Sequence, residues 1–244
     1  MAGAGDDPRV VLLDIEGTTT PIAFVHEVLF PFARTRFGEF LAGHRGRDDV
    51  AAELARLAAE REDDRSRGLD PPEDDVAYLR WLTDQDRKSP PLKALQGLIW
   101  RDGYGSGELK APVFDDVKPA LERWRGDGRA VRIYSSGSVL AQELLFAHTA
   151  SGDLTPLLDG YFDTAVGPKR EAASYRRIAE RCELAAAAFL FVSDVVAELD
   201  AAAAAGMATA LSVRPGNPAA EPGPHPVVRS FAELLQRSEP ADRR

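Results

Sequence analysis

The chain has 244 residues, 44% of them hydrophobic, with 30 Lys and Arg against 39 Asp and Glu for a formal net charge of -9. That size fits one large globular domain or a domain carrying an inserted subdomain. The acidity argues against broad binding to nucleic acid or to an anionic membrane surface, and a small anionic substrate would need a local cation. No stretch reaches the roughly 18 uninterrupted apolar residues of a membrane span, and the leader Met1 to Pro8 lacks the basic and then apolar pattern of an export signal, so the expectation is a cytoplasmic protein. A lone Cys182 cannot close an intramolecular disulfide and has no metal-ligand spacing, so it reads as structural. The first few residues and Ser238 to Arg244 read as loose tails.

The first apolar run, Val10-Val11-Leu12-Leu13, has strand composition and delivers Asp14-Ile15-Glu16-Gly17-Thr18-Thr19-Thr20 to a strand end. Open parallel sheets place their ligands at such ends. Asp14 and Glu16 would share one side if the chain stayed extended through Ile15, and Gly17 permits a tight turn. By itself the segment is as well explained by solvated acids in an exposed turn.

From Pro21 to about Pro112 the pattern becomes helical. Val25, Val28, Leu29 and Phe32 fall on one face, with Pro31 marking a kink or boundary. A second helix is predicted from Asp48 through Arg61, with Val50, Leu54 and Leu57 as its stripe. Arg61 to Asp75, with Gly68 and Pro71-Pro72, reads as a charged loop. Asp74 or Asp75 starts a helix bearing Val76, Leu79 and Trp81-Leu82, and Leu92 to Trp100 forms another. The glycines of Arg101 to Gly107 follow no strand and precede no Lys-Ser or Lys-Thr, which excludes a Walker-type ATP loop and suggests a hinge or lid rim.

Beyond Pro112 helices and short strands alternate, as in a parallel α/β sheet. Val117 to Trp124 is helical and Ala130 to Tyr134 is a strand delivering Ser135-Ser136-Gly137-Ser138. Val139 to His148 is a helix with Leu140, Leu144 and Leu145 as its stripe. A broken segment through Tyr161-Phe162 leads to Gly167-Pro168-Lys169. Ser174 to Cys182 is helical, Ala188 to Val192 is a strand ending at Ser193-Asp194, and Ala197 to Ala205 is a helix stopped by Gly206. Ala208 to Val213 is a strand, Arg214 to Pro226 a long surface loop, and Phe231 to Leu235 a short closing helix.

Strand ends thus carry, in order, Asp14 with Glu16, Ser135 with Ser136, Lys169, and Asp194 with Glu198 four residues later. This series resembles the four motifs of the haloacid dehalogenase superfamily. More narrowly, Asp14-Ile15-Glu16-Gly17-Thr18-Thr19, Ile133-Tyr134-Ser135-Ser136-Gly137-Ser138, Leu144-Leu145-Phe146 and Tyr161-Phe162-Asp163-Thr164 are similar to the enolase-phosphatases of methionine salvage. Val28 to Ala33 and Leu95-Gln96-Gly97 extend the similarity into the helical stretch. The resemblance implies a Rossmann-like parallel sheet core, residues 1–20 and 113–244, with an inserted α-helical cap at 21–112. It implies Asp14 as nucleophile through an aspartyl-phosphate, Glu16 as acid and base, and Lys169 as the cation for the phosphoryl group. Ser135 and Ser136 would bind phosphate. Mg2+ would be held by Asp14, the Glu16 backbone carbonyl and Asp194.

The implied reaction converts 2,3-diketo-5-methylthiopentyl 1-phosphate to the acireductone 1,2-dihydroxy-3-keto-5-methylthiopentene and phosphate in methionine salvage, and the implied state is a monomer. The rivals are a phosphatase of the same type for another phosphorylated metabolite and a non-catalytic phospho-ligand sensor. Individually the candidates have plainer readings: Ser-Ser-Gly as a helix entry, Lys169 as a solvated lysine with Arg170 its rival, and Asp194 as a helix cap. Glu198 ranks below Asp194 as a metal ligand and reads equally as support for the lysine or a water. The histidines show no paired ligand spacing, although His26 follows the nucleophile loop closely enough to line a pocket.

Overall fold

The structure, a computed structural model, describes residues 7–236. The tail from Ser238 to Arg244 and most of the Met1 to Pro8 leader lie outside the described residues. The chain divides into two compact units, one ending at Ile22 and resuming at Ala111, the other Ala23–Lys110.

The first unit begins with β1 (Val10–Leu13), whose four residues are all buried. Such a run without polar alternation is the composition of a parallel strand covered on both faces.

The second unit is helical. Phe24–Leu29 winds as a π-helix and continues into α1 (Phe30–His44) with Pro31 in its first turn. Pro31 has no N–H to give the Glu27 carbonyl, and the widened turns lie directly before it. Those turns correct the expected face: Val25 and Leu29 are buried, but Val28 is rotated out to 41% exposure. α2 (Asp48–Ser66) runs five residues past its expected end, so part of the predicted charged loop is helix. The sequence reads as loop because Arg61 and Asp64 are charged, yet both are buried and paired. Arg61 Nη2 stands 2.6 Å from Asp75, while Asp64 accepts from Tyr78 Oη and Arg87, each at 2.8 Å. Buried charge persists when it is compensated in this way.

α3 (Asp75–Asp84) is capped by Asp74, which accepts from the Ala77 N–H at 2.9 Å. α4 (Pro90–Gly105) is capped by Ser89 and absorbs most of the glycine segment expected to be a hinge. Gly103 is there for close packing: a Cβ on it would stand 2.4 Å from the Phe32 ring.

In the first unit the chain continues through α5 (Val117–Gly126), β2 (Ala130–Tyr134), α6 (Val139–Ala147), β3 (Tyr161–Phe162), α7 (Ala172–Arg181), β4 (Phe189–Ser193), α8 (Val196–Ala204), β5 (Ala208–Ser212) and β6 (Val227–Val228). In α6 the predicted stripe is out of phase: Gln142, Leu145 and Phe146 are buried, and Leu140 is exposed. Gln142 takes an inward place because its amide donates to the Gly137 and Phe162 carbonyls at 2.8 and 2.9 Å. β6 went unpredicted, being two residues after a proline-rich stretch.

Among the described residues these strands form one parallel six-stranded sheet in the order β3-β2-β1-β4-β5-β6. β1 is therefore interior, with β2 on one side and β4 on the other. Val10, Leu12, Phe189 and Phe191 pack on one face with Tyr175, Ile178 and Leu199 from α7 and α8. The fold is an α/β core with a Rossmann-like parallel sheet.

Candidate active site

Strand register builds the site. Leu13 pairs with Ile133 on β2 and with Val192 on β4, so Asp14 lies level with Tyr134 and Ser193. Ser135 and Asp194 lie one residue farther along their strands. Three of the expected motifs are thus brought to one sheet edge by hydrogen-bond pairing alone.

After Ile15 the chain does not stay extended. The Ile15 carbonyl accepts the N–H groups of Thr18, Thr19 and Thr20 at 3.2, 2.9 and 2.9 Å, and Gly17 takes φ +68°. Glu16 is half-buried in this turn and bridges to Thr20. Gly17 is required twice over, since its φ is strained for other residues and a Cβ would stand 2.3 Å from Asp194 Oδ2.

Asp14 is 5% exposed. Its Oδ1 accepts the Ile15 N–H at 2.7 Å and faces Lys169 Nζ at 2.7 Å. Lys169 is buried while Arg170 is exposed, which separates the two rivals for the cation. The ammonium also reaches Glu198 Oε2 at 2.6 Å. Burial lowers the lysine pKa, but the Asp14 and Glu198 carboxylates outweigh that effect and hold it above its ordinary value. Glu198 is itself raised by burial and by Asp14. The loop carrying Lys169 is fixed from β2 and α7: Tyr134 Oη donates to the Gly167 carbonyl at 2.8 Å, and Tyr175 Oη donates to the Lys169 carbonyl at 2.7 Å.

Ser193 Oγ lies 3.2 Å from Asp14 Oδ2 and 3.1 Å from Glu198 Oε2. Its single proton can serve one carboxylate at a time. Asp194 is half-buried, and its pKa is pushed up to about 7 by burial and by the nearby Asp14 carboxylate. Ser135 is buried, its Oγ accepting from the Gly137 N–H at 3.1 Å, and Ser136 beside it is half-buried. Lys169, Glu198, Ser193 and Asp14 therefore form one connected cluster, with Asp194 and Ser135 at the neighbouring strand ends.

Among the described residues no group of three His, Cys, Asp or Glu side chains is arranged to hold a metal ion. The Asp14 carboxylate is close enough to disfavour ionisation of Asp194, and the loop between them adds backbone carbonyl oxygens to the two carboxylates. A cation fits that donor set, since hard divalent ions accept carboxylate and carbonyl oxygen together.

The segment after β5 is the surface loop expected, mostly exposed, but its first residues are drawn in against the Gly17 turn. Arg214 is 6% exposed, lies over the rings of Phe114 and Phe231, and donates from Nε to the Thr18 carbonyl at 3.1 Å. Asn217 Nδ2 donates to the Gly17 carbonyl at 2.8 Å. Sequence reasoning missed both, and Ser193 with them, because their partners are distant. The available signal was Pro215-Gly216: Gly216 has φ +87° and the Asn217 N–H bonds back to the Arg214 carbonyl, a Pro-Gly turn that aims the residue after it.

A family model for haloacid dehalogenase-like hydrolases matches residues 8–206. The enolase-phosphatase E1 of Synechococcus elongatus is 53% identical over 229 residues, covering 92% of this chain and 96% of that protein. The chain belongs to the enolase-phosphatase E1 family. The family member from Sorangium cellulosum is 50% identical over 226 residues, covering 93% of this chain and 97% of its own. The crystal structure of the UTR4 protein from Saccharomyces cerevisiae superposes with a TM-score of 0.78 at 38% identity, covering 93% of this chain and 100% of that one. A dehalogenase captured with an intermediate shares the fold alone, at a TM-score of 0.55 and 19% identity. As an enolase-phosphatase relative the protein is a hydrolase, and no helix among the described residues is long and apolar enough to cross a membrane.

Proposed function

We propose that the protein is a bifunctional enolase-phosphatase that converts 2,3-diketo-5-methylthiopentyl 1-phosphate to 1,2-dihydroxy-3-keto-5-methylthiopentene and inorganic phosphate, as a cytoplasmic monomer with Mg2+. The observation that carries the phosphatase chemistry is the buried Asp14 carboxylate facing the Lys169 ammonium at 2.7 Å at an interior strand end. The relatives' name supports a substrate that is both enolised and dephosphorylated, and the diketo phosphate is the one the family resemblance implies.

In this reading one Asp14 oxygen attacks phosphorus, the bond from phosphorus to the substrate oxygen breaks, and an aspartyl-phosphate forms. Glu16 gives a proton to the departing oxygen and then takes one from the water that cleaves the acyl phosphate, which restores Asp14. Ser135 and Ser136 donate to phosphate oxygens. Lys169 neutralises charge on the transferring phosphoryl group, held in place by Glu198 so that little reorganisation is needed. Mg2+, held by Asp14, the Glu16 carbonyl and Asp194, would supply charge neutralisation and polarise the carbonyl next to the carbon that loses its proton in the enolisation.

The test is incubation with the diketo phosphate while free phosphate and the enediol are followed together. Both products appearing in step is the expected result. Phosphate without enediol would leave a phosphatase and remove the enolase half, and hydrolysis of neither this nor any aryl phosphate would leave the phospho-ligand sensor.

A further inference from the structure

Asn217 is held by two carbonyls. Its Nδ2 donates to Gly17 O at 2.8 Å and lies 3.4 Å from Ser212 O, so the amide nitrogen is fixed on that side and the Oδ1 faces the other way. That Oδ1 is buried and has no hydrogen-bond partner among the described residues. An amide oxygen removed from water without a donor is costly, which makes its surroundings informative. It lies 3.0 Å from the point where a Cβ on Gly17 would stand, and Asp194 Oδ2 lies 2.3 Å from the same point. Two oxygen acceptors, one at the end of β4 and one in the loop after β5, thus converge beside the backbone of the nucleophile loop, on ground kept open by a glycine. Acceptors so placed need a donor between or beside them, and a water molecule polarised by a cation is the strongest small donor that fits.

We propose that Asn217 is a positioning residue for the cation, its Oδ1 accepting a hydrogen bond from a water bound to the divalent ion at Asp14 and Asp194. The inference rests on the metal reading of the site given above. The plainer alternative is that Asn217 only ties down the Gly17 carbonyl, and the two readings separate by chemistry. Alanine removes both donor and acceptor. Aspartate removes the donor to Gly17 but keeps an oxygen on the other side.

The test uses Mn2+ as the probe, titrated into the full chain with the free ion counted by electron paramagnetic resonance, at one pH for all variants. Asn217→Ala should weaken Mn2+ binding by about tenfold or more, the scale at which outer-shell partners act. Asn217→Asp should bind within about threefold of the wild type or more tightly. Circular dichroism confirms that each variant is folded, and Asn217→Asp serves where alanine fails to fold. Wild-type affinity in Asn217→Ala would overturn the proposal, as would an Asn217→Asp affinity several-fold weaker than wild type. Phosphatase activity untouched by a chelator would instead sink the metal reading itself.

Discussion

The Lys169 ammonium stands 2.6 Å from Glu198 Oε2, almost the distance it keeps from Asp14 Oδ1. One cation therefore bridges two carboxylates, one on the nucleophile loop and one in the first turn of α8. Glu198 occupies the lysine's other side, so the ammonium can shift from Asp14 toward incoming phosphate without leaving all anionic contact. Glu198→Gln keeps shape and an oxygen acceptor but removes the charge. Turnover should fall on the order of ten- to a hundredfold with KM changed less, measured on the diketo phosphate. Unchanged turnover would show that Asp14 alone places the lysine.

Asp14→Asn should abolish turnover, by roughly four orders of magnitude or more, because an amide oxygen is a poor nucleophile toward phosphorus. The fold should survive, since an amide still fits beside Lys169 and one fewer buried anion remains. Thermal melts and steady-state rates on the same preparation check both halves, and substantial residual activity would remove Asp14 from the nucleophile's role.

How much of this was legible in the sequence depends on what each residue touches. Asp14, Ser135 and Asp194 each follow an apolar strand run, and Lys169 follows Gly167-Pro168, so chain order set the candidates at the strand ends, while the roles proposed for them came from the family resemblance. The expected α/β core and the helical character of the stretch around residues 23–110 came from the same periodicity. Arg214 and Asn217 were not legible because they grip the carbonyls of Thr18 and Gly17, and a carbonyl has no letter in the sequence. Charge misled in α2, where Arg61 and Asp64 pair inside, and glycine misled in α4, where Gly103 marks close packing.

Asp116 supports the same loop at one remove. Its Oδ2 accepts from Arg214 Nη1, Ser230 Oγ and the Phe231 N–H at 2.7, 2.9 and 2.6 Å. Burial raises its pKa, but the Arg214 contact and these hydrogen bonds outweigh it and leave the group below the ordinary carboxylate value. A carboxyl more acidic in the folded than the unfolded chain stabilises fully above its unfolded pKa, and that contribution is lost as pH falls through the folded pKa. Asp116→Ala should therefore cost about 2–4 kcal/mol near neutrality, with the difference from wild type shrinking in strong acid. Denaturant unfolding across the acid range measures it.

Gly17→Ala isolates the tightest steric constraint at the site. Alanine must accept φ +68°, and its Cβ would stand 2.3 Å from Asp194 Oδ2 and 3.0 Å from Asn217 Oδ1. The backbone strain by itself is about 1–2 kcal/mol, which a folded domain can absorb. Displacement of Asp194 is the larger effect, because its carboxylate has to move away from the nucleophile loop to make room. The expected variant is folded and only modestly less stable, with turnover reduced by at least about a hundredfold, since an ångström of misplacement at a reacting centre has that scale. Mn2+ affinity measured beside the rate should fall with it. A variant that lost stability in proportion to its activity would mean that the strain, and not the place of Asp194, limits this turn.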